Sequence, residues 1–342
     1  MQKLEIIEHG AVAVHEERIV GVGTSIDMES SYTATRAIDC SGKAICPGFV
    51  DPHTHVVYGG DRAGEFELRI KGASYLDIMA AGGGIINTVR HTREALVDEL
   101  TASAVRRLNG MLALGTTTVE IKTGYGLDTE SELRLLQAIN EVDQHTNAKI
   151  LPTWLGAHDF PHRRSREEYL EELVCEQIPA VAEQGVAMWA DVFCEEGWFS
   201  NEETEVIVRA AAEYGIPSRL HVDEFADSGG LALAADLGAV SGDHVAKSSP
   251  DSRQAASDSG TMQTFLPGTP LVLGLPMDAP LASCIENEWA FSIATDYNPN
   301  CRILSMPFIG SLVTTRMSMD PFAALVAASR NPATTLNQPE VT

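Results

Sequence analysis

The chain has 342 residues, 44% of them hydrophobic and 21% charged, enough to bury the core of one large α/β barrel or of two ordinary domains. Its formal net charge is −24 and its pI near 4.7, with no basic run able to track a phosphate backbone. Nucleic acid and anionic membrane are thereby excluded as partners, and the acidity serves solubility.

Six cysteines (Cys40, Cys46, Cys175, Cys194, Cys284, Cys301) lie scattered without a C-x-x-C pair, which predicts reduced thiols in the cytoplasm. Glu5, Glu8 and His9 interrupt the amino terminus where a signal peptide needs apolar residues, and no run is long and apolar enough to span a bilayer. A soluble intracellular protein is expected.

From Leu4 to Ile38 the pattern is short and strand-like. Gly10–Val14 and Arg18–Gly23 flank the polar turn His15-Glu16-Glu17, predicting a small antiparallel sheet. Gly21-x-Gly23 is no dinucleotide fingerprint, since no third glycine follows and no helix opens there. Next comes Ile45–Val50, an apolar strand that delivers His53 and His55 at its carboxyl end. Side chains two apart on a strand share a face, so both imidazoles converge while Thr54 turns away.

Seven more strand-like runs follow: Thr116–Thr123, Ile150–Gly156, Met188–Cys194, Ser218–Val222, Ala239–Asp243, Met262–Leu266 and Phe291–Thr295. Helical stretches fit between most of them. Capping-box patterns at Thr129-x-x-Glu132, Ser165-x-x-Glu168 and Ser200-x-x-Glu203 each open an apolar face, and one more helix fits Val89 to Leu114. Gly82-Gly83-Gly84 lacks the Lys-Ser/Thr of a phosphate loop and is expected near the barrel mouth as a mobile loop. Four prolines between Leu266 and Phe291 predict irregular chain with at most a short helix, and Asn331–Thr342 reads as a helix or loop that stops early.

Eight near-continuous apolar strands alternating with helices predict an α/β fold, a (β/α)8 TIM-like barrel over residues 44–330. Residues 1–43, with any after about 331, are expected to form a small β-sandwich domain. In such a barrel the active site lies at the strand carboxyl ends. There the chain places His53 and His55, Lys122 and Tyr125, His158, Glu195 and Glu196, His221 and Glu224, Asp243 and His244, and Asp296 with Asn298. Individually, Asp243 reads equally as a turn residue, Glu195 and Glu196 as a solvated loop, and Lys122 as the partner of a carboxylate. As a set they read as a site. Three histidines and an aspartate suit Zn²⁺ or Fe²⁺ with a position left for water, whose pKa such an ion lowers toward neutrality; the chemistry that follows is hydrolysis.

The run Pro47-Gly48-Phe49-Val50-Asp51-Pro52-His53-Thr54-His55, followed by His221, His244 and Asp296, resembles the amidohydrolase superfamily. Within it, His53–Arg62, Glu120-Ile121-Lys122-Thr123-Gly124-Tyr125-Gly126-Leu127, Leu155-Gly156-Ala157-His158, His221-Val222-Asp223-Glu224-Phe225 and Thr295-Asp296-Tyr297-Asn298-Pro299 are similar to the imidazolonepropionase family, from about Gly10 to Pro332. The resemblance implies a cytoplasmic enzyme of histidine metabolism that hydrolyses the cyclic amide 4-imidazolone-5-propionate to N-formimino-L-glutamate. It implies metal ligands His53, His55, His221 and Asp296, holding one Zn²⁺ or Fe²⁺/Fe³⁺ per chain, and a homodimer. Arg62, Tyr125 and His158 map to substrate contacts, Glu224 to a substrate-binding acid/base residue, His244 to the histidine near the water, Asp296 to a further catalytic group and Asn298 to a product contact.

Arg62 offers a forked donor suited to a propionate carboxylate. The lack of a lysine or histidine ending the fourth barrel strand favours one metal over two. Two departures stand out. Asn300 and Cys301 replace the family's glycine and small hydroxyl residue, in a loop expected to bind the propionate end of the substrate. Both ends also look short, so the small domain is expected to be incomplete. The alternatives are another amidohydrolase, hydantoinase-like or a nucleobase aminohydrolase, against which Arg62 and the Tyr125 loop argue, or a catalytically silent barrel.

Overall fold

A computed structural model describes residues 4–73, 77–78, 81–162 and 164–341; Met1–Lys3 and Thr342, the tips of the two terminal segments discussed above, lie outside them. The chain divides into two compact units, Met1–Pro47 and Gly48–Thr342.

In the first unit β1 (Gly10–His15) and β2 (Arg18–Thr24) pair antiparallel, with His15 opposite Arg18. The two residues between them, Glu16 and Glu17, take φ of 48° and 64°. Positive φ at both turn positions gives the twist a tight hairpin favours, here without glycine. A short helix, Ser25–Ser31, follows, its first turn capped by the Thr24 hydroxyl, which accepts from Asp27 N.

The second unit is the barrel. β3 (Phe49–Asp51), β4 (Thr116–Lys122), β5 (Lys149–Ala157), β6 (Trp189–Cys194), β7 (Ser218–Val222), β8 (Ser241–His244), β9 (Met262–Phe265) and β10 (Phe291–Ile293) form one parallel sheet in chain order. All eight strands expected from the apolar runs are present. The first and last do not pair as a ladder. A single bridge between Thr54 and Tyr297, the His55 N–H donating to Tyr297 O (2.8 Å), and Thr295 N–H and hydroxyl donating to the Asp51 carboxylate bring the edges together. Burial pushes the Asp51 carboxyl up to about 7, against those two hydrogen bonds.

Helices cover the sheet where local chemistry starts them. Ser165 and Ser200 each form a full capping box with the glutamate three residues on. The third expected box does not form: Asp128, not Thr129, caps Thr129–Asp143 by accepting from Ser131 N. Glu132 is thereby released to gather the backbone N–H groups of Gly124, Gly126 and Leu127. The helical stretch expected over Val89–Leu114 is two helices, Ile85–Glu94 and Val97–Ala113, the second started by Glu99 accepting from Leu96 N. Val97–Ala113 buries Leu100, Ala104, Leu108 and Met111 at helical spacing on the barrel wall. The proline-rich stretch holds two short helices rather than at most one, Gly268–Leu273 and Leu281–Glu286. Gly82–Gly84 leads into Ile85–Glu94, and Glu65 accepts from Gly84 N.

The helix Arg330–Thr335 lies with the barrel, not with the first unit. Ala333 and Leu336 pack on Val50, Leu151 and Trp189, and Asn331 donates to Phe291 O, so this segment plugs the amino-terminal end of the barrel. Among the described residues no helix is long and apolar enough to cross a membrane.

Candidate active site

Barrel interiors are ordinarily filled by Val, Ile and Leu. Here the layers nearest the carboxyl end carry charges. Glu120 and Lys122 of β4, Asp191 of β6, Arg219 of β7 and Asp243 of β8 are completely buried and contact one another across non-adjacent strands, which only inward-facing residues can do.

Above this layer stand the histidines. The ring nitrogens of His53, His55 and His221 that could hold a metal lie within 4.8 Å of one another. Asp296 Oδ1 is 3.8 Å from His53 Nε2 and 3.6 Å from His55 Nε2. Two of the three imidazoles are aimed from behind. His53 Nδ1 donates to Asp243 Oδ2 (2.7 Å) and His221 Nδ1 donates to Asp191 Oδ1 (3.1 Å), which fixes both tautomers with the Nε2 lone pair forward. Those two Nε2 atoms and His55 Nδ1 are buried without a hydrogen-bond partner among the described residues. Buried imidazole nitrogens are rarely left so, and the free Nε2 atoms of His53 and His221, clustered with the His55 ring beside the Asp296 carboxylate, fit a borderline divalent cation. Thr54, between the two histidines, turns to β4 and donates to Glu120 O. Thr269 donates to Asp296 Oδ2 and orients the carboxylate.

The backbone is strained here. Asp223, His244, Val245 and Asp296 have φ of 52°, 74°, 48° and 50°, all at strand carboxyl ends. Non-glycine residues persist there only where surroundings over-determine them. Asp223 illustrates this: its carboxylate accepts from the N–H groups of Ser228, Gly230 and Leu231 and the hydroxyls of Ser228 and Ser248.

A pocket opens over the histidines, lined among others by Arg62, Tyr125, His158, Glu224, His244, Asp296, Asn298 and Asn300. Arg62 Nε donates to Thr88 Oγ1 (3.0 Å), while its NH2 is buried without a partner among the described residues. His158 stacks on His55 at 5.1 Å, and its Nδ1 donates to Gly124 O (2.8 Å), leaving Nε2 as an acceptor. Gly124 is required there: its φ is 101°, and a Cβ would lie 2.7 Å from the His158 ring. Burial and His221 depress His158 to about 3, so the ring is neutral.

Glu224 Oε2 lies 3.6 Å from His244 Nε2. Burial, then the carboxylates of Asp296 and Glu195, raise the Glu224 carboxyl well above the usual range. Burial, then His221, hold His244 well below its usual value. Glu195 is not a solvated loop residue: it is buried, and its Oε2 accepts from Glu224 N (2.7 Å) and Phe225 N (3.3 Å). Its neighbour Glu196 is exposed.

The loop after β10 is arranged differently from expectation. Asn298 Oδ1 accepts from the N–H groups of Asn300 (2.7 Å) and Cys301 (2.8 Å), so those backbone donors turn to Asn298. Cys301 is fully buried, with Sγ 3.6 Å from Thr295 O, and it does not join the residues lining the pocket. Asn300 does. Thr88, Asp191 and Thr269 are site residues that sequence reasoning missed, whereas Glu195 was read at the end of its strand. Only Asp191 carried a signal, as an acid inside the otherwise apolar run Trp189–Cys194.

No family model matches the chain. The fold is similar to that of 5-methylcytosine deaminase from Klebsiella pneumoniae, with a TM-score of 0.73 and 16% identity over 95% of this chain and 83% of that one. At the level of sequence, imidazolonepropionase from Haloarcula marismortui is 41% identical over 340 residues, 98% of this chain and 81% of its own. Imidazolonepropionase from Herpetosiphon aurantiacus is 44% identical over 352 residues, 99% of this chain and 82% of its own. Identity at that level across the whole barrel, with the histidine cluster and the Arg62 pocket inside the aligned span, makes this chain a member of the imidazolonepropionase family.

Proposed function

We propose that the chain hydrolyses 4-imidazolone-5-propionate to N-formimino-L-glutamate, adding one water across a ring C–N bond, in the histidine-degradation pathway of the cytoplasm. The observation that carries the reading is the cluster of His53, His55 and His221 ring nitrogens beside Asp296, with the Nε2 atoms of His53 and His221 buried without a partner among the described residues, opening into a pocket where Arg62 NH2 also lacks one.

His53, His55, His221 and Asp296 would hold one Zn²⁺ or iron ion per chain. When bound, such an ion polarises a carbonyl and brings the pKa of a water toward neutrality. The remaining work falls to this chain's own residues. Arg62, anchored at Nε by Thr88, presents its free edge to the propionate carboxylate as a paired donor. Neutral His158 accepts at Nε2 from a ring N–H. Glu224, its carboxyl pushed up by burial and by the Asp296 and Glu195 carboxylates, exchanges a proton with a ring nitrogen, and His244 orients the water. Asp296 takes the proton of the water and passes it to the departing nitrogen. Tyr125, its ring 5.2 Å from His158 and 5.9 Å from His55, closes one wall. Asn298 contacts product from the β10 loop, with Asn300 beside it. A homodimer and a small β domain at residues 1–43 complete the reading, as the family resemblance implies.

The test is turnover of 4-imidazolone-5-propionate by purified protein of measured metal content. Absence of turnover in protein carrying one Zn²⁺ or Fe²⁺ per chain rejects the assignment.

A further inference from the structure

Lys122 lies beneath the metal site rather than in it, and no step above uses it. It is fully buried, and its Nζ meets three carboxylates: Asp191 Oδ2 at 2.7 Å, Glu120 Oε1 at 2.9 Å and Asp243 Oδ2 at 3.7 Å. Each of those carboxylates holds a ligand-bearing position. Asp191 accepts from His221 Nδ1 and from His221 N, Asp243 accepts from His53 Nδ1, and Glu120 accepts from the backbone of Thr54, between His53 and His55.

We propose that Lys122 is the positioning residue of the metal centre, a single ammonium hub that fixes the three carboxylates on which the ligand histidines are mounted. The chemistry suits lysine. An ammonium is a compact point charge, and here it donates to Glu120 and pairs with Asp191 and Asp243 from one point, whereas a guanidinium would spread its charge and donors over a plane. Charge gives the reason. Three carboxylates share this dry layer with Lys122 and Arg219, and Arg219 reaches Asp243 (3.2 Å) and Pro52 O but makes no ion pair with Asp191. Without Lys122, Arg219 is the one cation left in the layer for three carboxylates and pairs directly only with Asp243, so like-charge repulsion at low dielectric turns Asp191 and Glu120 off the groups they hold. His53 and His221, whose rings are 4.4 Å apart, would then lose their common aim.

The inference rests on the metal-ligand reading, and Zn²⁺ affinity, measured by chelator competition, separates the two. Lys122→Met alone leaves buried acids unpaired and can fail to fold, so the informative variant is Glu120→Gln/Lys122→Met, which removes one charge of each sign. Glu120→Gln, which keeps an acceptor for Thr54, is its control. Orienting partners of ligands typically contribute about 10–100-fold in metal affinity. The expected result is a loss of that size in the double variant, near-parental affinity in Glu120→Gln, an apo-protein that melts near the parent, and no further loss when the pair is combined with Asp191→Asn. Unchanged affinity in the double variant, additive loss with Asp191→Asn, an equal loss in Glu120→Gln, or failure of the charge-balanced variant to fold each overturns the hub. A parent that binds no Zn²⁺, or a His55→Ala variant that binds it as tightly, overturns the ligand reading and the hub with it.

Discussion

Arg62→Lys isolates the carboxylate clamp. Arg62 starts the helix Ala63–Ile70 and spends Nε on Thr88, so the planar group is held at one corner while NH2 stays available. Lysine keeps the charge but loses both the Thr88 tether and the second parallel donor. Losing one hydrogen bond to a charged group costs about 1.5–3 kcal/mol. At about 1.4 kcal/mol per tenfold, kcat/KM for 4-imidazolone-5-propionate should fall about 10–150-fold. Most of the change should appear in KM, since the carboxylate is remote from the breaking bond. Thr88→Val removes only the tether, leaving the guanidinium charge and its free edge in place, and should raise KM by less than Arg62→Lys does, with kcat nearly intact. Steady-state kinetics on both variants, with metal content matched to the parent, make the comparison. An Arg62→Lys enzyme with parental kcat/KM, or a Thr88→Val enzyme impaired more than Arg62→Lys, would refute the clamp.

Other outcomes follow from the same geometry. His55→Ala and His221→Ala should each strip the metal; elemental analysis that finds it retained in both removes them as ligands. Glu224→Gln and His244→Asn should keep metal and lose about 10²–10⁴-fold in kcat, and metal loss in His244→Asn would make that residue a ligand instead. Glu195→Ala should lower kcat without displacing metal, because Glu224 loses the acceptor that holds its backbone, whereas Glu195→Gln keeps one oxygen and should retain most activity. Equal damage in both would assign Glu195 a charge role. Asp159 has its carboxyl raised to about 6 by burial, against the opposing Phe160 N–H, while an unfolded aspartate titrates near 3.8. Between those values the unfolded chain ionises and the folded one does not, so stability present below pH ~4 is lost as pH rises through ~6. Asp159→Asn should therefore gain about 1–3 kcal/mol relative to the parent on going from pH 4 to pH 8. Melting curves at the two pH values that differ by the same amount would rule this out.

The barrel was legible because its strands are near-continuous apolar runs and each signal is local. Ser165 and Ser200 capped as written for the same reason. Thr129 did not, since Asp128 beside it is an equally good cap and the pattern cannot choose between neighbours. The break before Val97 carries neither glycine nor proline, only a leucine whose N–H is taken by Glu99. The histidines at strand ends could be read from position alone. The layer beneath was legible only in part: Lys122 and Asp243 fell at strand ends, whereas Asp191 and Arg219 look like isolated charges until strands far apart in sequence close around them. Cys301 failed in the opposite direction. Its spacing placed it on the loop, but only the fold shows Asn298 gathering that loop onto itself.

The junction between β3 and β10 has a thermodynamic consequence. It joins residues about 240 positions apart through one bridge and the Asp51–Thr295 hydrogen bonds, where every other neighbouring pair of strands has a ladder. Contacts of such long sequence separation form late in folding, and a seam so thinly laced is where the barrel should unzip first. His53 and His55 stand on one lip and Asp296 on the other, so an ion held by all three is also a clasp across the seam. Loading it should slow amide exchange at His55 and Thr295 far more than at the laddered β6–β7 pair. On this view the element that prepares the enzyme for chemistry also determines how long the barrel stays shut.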